Sequence, residues 1–154
     1  MDIEQILNSE NDYSIDDVED MICRTQADIY IQAQRDGYDI ESFSDAYLSS
    51  HFCSQYMDRP YSRFQTEFAN ACLELIYPEI KDALKPANKL INEDIIDWVG
   101  YMYRALYLKT GIPSKELQSR VPFWRLARTY GLHVEDDSLI LEDLIRIFKL
   151  NTRV

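Results

Sequence analysis

The stretch 92–111, NEDIIDWVGYMYRALYLKTG, decides the fold class. Asn92 is a residue type that caps a helix N-terminus, and Gly111 is one that ends a helix by adopting left-handed backbone. Between them Ile95, Ile96, Val99, Met102 and Leu106 recur at three- and four-residue spacing and so face one way.

The same grammar extends in both directions. Downstream, Gly111 to Ser114 is a tight connector, and Ser114 is expected to cap a short helix through Glu116 and Leu117. Pro122 breaks the chain again, after which Phe123, Leu126, Ala127 and Tyr130 form a face ending at Gly131. An acidic turn at 135–138 precedes Leu141, Leu144, Ile145 and Phe148 at helical spacing; residues 133–140 are also compatible with a short strand. Upstream, Ser14 with Asp17 predicts a capping-box-like start. The acids of 16–20 sit where a helix end is positive, Val18, Met21, Ile22, Thr25 and Ile29 follow, and Gly37 is the stop. Asp39 caps a second helix carrying Ile40, Phe43 and Tyr47. After Pro60, the residues Tyr61, Phe64, Phe68, Ala71, Cys72, Leu75 and Ile76 predict one amphipathic helix ending near Pro78. Short connectors favour neighbouring helices packed together. The expectation is an all-α, compact bundle of about six or seven short helices, with a candidate division near 85–89 into residues 1–90 and 91–154.

At 154 residues, 46% hydrophobic and 28% charged, the chain has the size and composition of one globular domain. Cys23, Cys53 and Cys72 are odd in number and far apart. The N-terminus lacks a secretory layout, and no apolar run approaches the roughly 20 residues that span a bilayer. The expectation is a cytoplasmic protein, no membrane association, and cysteines acting as small core residues. The four glycines are scattered, which excludes Gly-rich phosphate loops and dinucleotide fingerprints.

Catalytic and metal signatures are equally absent. His51-Phe-Cys53 with Cys72 lacks the paired ligands of structural zinc. His133-Val-Glu135 matches half of a zinc-deaminase motif without the Pro-Cys-x-x-Cys half. No nucleophile elbow is present, and the spacing of Tyr77 and Lys81 stands without a nucleotide loop. The chain is expected to be no enzyme, with no catalytic residue, no metal and no cofactor.

Charge is the remaining signal. Residues 1–97 hold 7 Lys/Arg against 21 Asp/Glu, whereas 98–131 hold six basic residues against Glu116 alone. That segment (Arg104, Lys109, Lys115, Arg120, Arg125, Arg128) either meets an acidic partner or is neutralised by the chain's own acids. Arg120, Trp124, Arg125 and Arg128 are candidate partner-binding residues. With the helix, Gly turn and short helix before them, they suit a helix-turn-helix-like nucleic-acid reading over 114–131. The net charge of −11 opposes it, and also admits an acidic mimic of nucleic acid. A protein partner is favoured over nucleic acid. Tyr56, Arg59, Tyr61 and Arg63, around Pro60, are of the types enriched at interface hot spots.

Two blocks carry a resemblance. Gly37-Tyr38-Asp39, Phe43 to Tyr47, Phe52-Cys53 and Met57 to Gln65 form one. Thr110 to Leu117, Tyr130-Gly131 and Ile140 to Ile145 form the other. The chain resembles small bacterial proteins of unknown function encoded beside toxin-like genes, some of them similar to ADP-ribosyltransferases. The resemblance implies a small cytoplasmic partner protein of antitoxin type with a toxin-like protein partner, and it assigns no functional residues.

Overall fold

The computed structural model describes residues 13–60 and 62–150. They form seven α-helices: α1 (Asp17–Arg35), α2 (Ile40–Leu48), α3 (Ala69–Ile80), α4 (Glu93–Thr110), α5 (Ser114–Arg120), α6 (Phe123–Ala127) and α7 (Asp137–Ile147). A π-helical turn (Cys53–Met57) follows α2, and 3-10 turns occupy Arg63–Thr66, Lys81–Ala83 and Arg128–Val134. The fold is all-α; among the described residues the one extended pairing is an isolated bridge between Tyr38 and Pro86.

Local signals act where the caps are. Asn92 Oδ1 accepts from Asp94 N, Gly111 takes φ 72° at the end of α4, and Asp39 Oδ2 accepts from Ser42 N. Five expectations shift. The capping box of α1 is Asp16 with Glu19, each side chain accepting from the other's backbone N–H, rather than Ser14 with Asp17. Ile22, Thr25 and Ile29 of α1 are buried as expected, together with Cys23, Gln26, Ala27, Tyr30 and Ala33, while Val18 and Met21 are exposed. The helix expected from Tyr61 through Ile76 begins only at Ala69, because Glu67 and Phe68 are extended and Phe68 is 85% exposed; Tyr61 lies outside the described residues. Pro113, not Ser114, is the N-cap of α5, since the Ser114 side chain is drawn inward. The strand weighed for 133–140 is absent. Residues up to Val134 belong to a 3-10 turn, and α7, opening at Asp137, takes Ile140 with Leu141, Leu144 and Ile145 into its buried helical face.

The core is built on α1 and α4. At Gly100 a β-carbon would lie 3.0 Å from Ala27 Cα and from Tyr30 Cγ, so the two backbones meet where α4 has no side chain. Gln26 Nε2 seals the crossing by donating to the Gly100 carbonyl at 2.9 Å. Phe43 and Tyr47 of α2, Cys72 and Ile76 of α3, Leu117 of α5, Leu126 of α6 and Leu144 of α7 pack into the same apolar cluster. Residues on both sides of 85–89 thus share one core. Among the described residues no helix is long and apolar enough to cross a membrane.

Candidate protein-docking surface

Arg104 of α4 is fully buried. Its Nη1 donates to Asp58 Oδ1 at 2.7 Å and to the Met57 carbonyl at 3.2 Å. Nε and Nη2 both donate to Gln26 Oε1, at 3.0 and 2.8 Å. Nη2 also reaches Ser114 Oγ and Cys53 Sγ, and the guanidinium lies 5.0 Å from the Tyr107 ring centre. Asp58 in turn accepts from Ser114 N at 2.8 Å and Ser114 Oγ at 2.6 Å. Every buried side-chain polar atom among the described residues has a partner. This network fixes the backbone of 53–58 from beneath, and Gln65 adds to it by donating to the carbonyls of Met57 and Arg59.

Three of the side chains singled out in the sequence, Tyr56, Arg59 and Arg63, are exposed on and after that backbone. Phe52, Tyr56 and Phe64 form an aromatic triad with ring centres 4.9 to 5.5 Å apart. Tyr56 is exposed, Arg63 lies over the Phe64 ring at 4.9 Å, and Arg59 donates to the Gln55 carbonyl. Leu75, about half exposed, sits one helical turn from both Cys72, whose thiol reaches the Phe64 carbonyl, and Glu79, which accepts from the N–H groups of His51 and Phe52. The result is an outward aromatic and arginine surface on a fixed base.

The second group is held by contacts of its own, two of them with residues 148 and 149. Arg120 pairs with Glu116 at 3.0 Å and donates to the Lys149 carbonyl. Trp124 is 41% exposed against Phe123, Arg125 lies over the Phe148 ring, and Arg128 is exposed. No hydrogen bond, ion pair or ring contact among the described residues joins this group to Tyr56, Arg59 and Arg63. Of the six basic residues in 98–131, Arg104 is in the core, Lys109 is paired with Glu19 and Arg120 with Glu116. The outward charge is left to Lys115 on α5, Arg125 on α6 and Arg128 in the 3-10 turn that follows, so no one helix presents it to a duplex.

His51 is exposed, whereas Cys53 and Cys72 are buried in the core. Among the described residues no three metal-ligating side chains gather. Sequence reasoning missed Arg104, Asp58, Gln26 and Ser114. The available signal was that Arg104 stands inside Tyr101-Met102-Tyr103 and Ala105-Leu106, an apolar run in which a solvated arginine is out of place. Compared with family models, curated proteins and solved structures, the chain matches none.

Proposed function

We propose that the chain is a non-catalytic, cytoplasmic protein-interaction module that binds a protein partner on the surface formed by Tyr56, Arg59, Arg63, Phe64 and Leu75. The observation that carries this reading is the pairing of exposed hot-spot residue types with a backbone held by Arg104 and Gln65. A surface already ordered before binding loses less conformational entropy on association. The resemblance to proteins encoded beside toxin-like genes supports a toxin-like partner and an antitoxin role. The experiment is co-expression with the product of the neighbouring gene, followed by affinity measurement for Tyr56→Ala, Arg59→Ala and Arg63→Ala. At least one variant is expected to lose about 1–2 kcal/mol of binding with its melting temperature unchanged. Parent-like affinity in all three removes the docking surface from this part of the molecule.

A further inference from the structure

A separate cleft opens between α1, α4 and the C-terminal elements, with a volume of about 150 Å³. Its aromatic lining comes from Trp98 and Tyr101, its acids are Asp20 and Asp97, and Arg24 and His133 line it as well, so the open volume is what Arg24 leaves. A space this small suits one amino-acid side chain rather than a cofactor, since ligand pockets run to about 300–1,000 Å³.

The chain's own Arg24 shows what the cleft takes. Its guanidinium lies over the Tyr101 ring, 5.0 Å from the centre, between the two carboxylates. The fit is loose. Nε is 3.8 Å from Asp20 and Nη1 is 3.6 Å from Asp97, both beyond hydrogen-bond range, and the side chain stays 57% exposed. Asp20 already accepts from the Tyr101 hydroxyl at 2.6 Å, which fixes that carboxylate beside the ring. Asp97 takes no hydrogen bond among the described residues. Burial, together with Asp28 and Asp94, raises its carboxyl above the usual range despite Arg24. The cleft therefore has an aromatic face for a cation and a carboxylate that Arg24 leaves without a hydrogen bond.

We propose that this cleft is a receptor for an arginine side chain of a basic partner protein, which displaces Arg24 and forks onto Asp97 while stacking on Tyr101. A planar guanidinium provides both contacts at once. The strongly acidic balance of residues 1–97 supplies the long-range attraction. The site is independent of docking at Tyr56 and stands or falls separately.

The probe is N-acetyl-arginine-N-methylamide, titrated against the protein in the Trp124→Phe background while the Trp98 indole N–H is followed by NMR. The neutral isostere N-acetyl-citrulline-N-methylamide is the control ligand. Saturable binding in the millimolar range is expected for the arginine compound alone. Arg24→Ala is expected to tighten it at least threefold. Lys81→Ala removes the same charge elsewhere and is expected to leave it unchanged, and Asp97→Asn is expected to weaken it at least threefold. Equal shifts with citrulline, equal effects of Arg24→Ala and Lys81→Ala, or no saturable shift would each overturn the proposal.

Discussion

Arg104 shows how one residue's meaning depends on what it meets. A guanidinium taken fully out of water is costly to desolvate, and the cost is offset only where its donors are matched. Here every face is engaged by Asp58, Gln26, Ser114, Cys53, a carbonyl and an aromatic ring. Arg104→Met leaves Asp58 without its cation and is expected to lower unfolding free energy by about 3–5 kcal/mol in urea titrations. Ser114→Ala removes one hydroxyl from the same cluster and is expected to lose about 1–2 kcal/mol. A loss under about 1 kcal/mol for Arg104→Met would contradict the role given to the ion pair. None of this pairing is local. Asp58 lies 46 residues before Arg104 and Gln26 lies 78 before it, so no spacing rule links them. The reading of Tyr56, Arg59 and Arg63 used composition alone, and what holds them in place was invisible at that level.

At the scale of elements, signals confined to a few residues were legible and those needing a partner were not. Asn92, Gly111 and Asp39 act on their own neighbours, so α4 and the start of α2 follow directly from the sequence. The start of α3 depends on Phe64 and Gln65 settling against other parts of the chain, which displaces the helix expected from Tyr61. Gly100 is another case. Within a helical pattern it reads as a mild defect, yet it is where α1 and α4 touch. Gly100→Ala drives a methyl group to 3.0 Å from the Ala27 backbone and is expected to lose about 1–3 kcal/mol by thermal or urea unfolding. Gly131→Ala is the control, since its added carbon meets nothing within 4 Å, and it is expected to be near neutral. Alanine has the higher helix propensity, so a Gly100→Ala stability equal to or above that of the parent would show that the crossing tolerates the added methyl group.

Across the whole molecule, the acidic and basic stretches are partly joined within one fold, through Lys109 with Glu19 and Arg104 with Asp58. The three thiols report on the integrity of that fold. Burial pushes Cys23 up to about 12 and Cys72 up to about 11, and Cys53 is raised for the same reason. At pH 8 the thiolate fraction of the native protein is therefore very small. Iodoacetamide is expected to leave all three unlabelled over minutes and to modify all three in denaturant, scored by intact mass. Rapid labelling of the native protein would show that the core opens far more readily than its packing implies.

The crossing of α1 and α4 also has a consequence during biosynthesis. Gln26 and the Gly100 carbonyl it binds are 74 residues apart. A ribosome adding about 5–20 residues per second takes roughly 4–15 s to cover that interval. Throughout it, the face of α1 bearing Ala27, Tyr30 and Ala33 has no α4 to cover it. The nascent chain must be shielded by its early neighbours in α2 and α3, or by a chaperone, until the second long helix emerges.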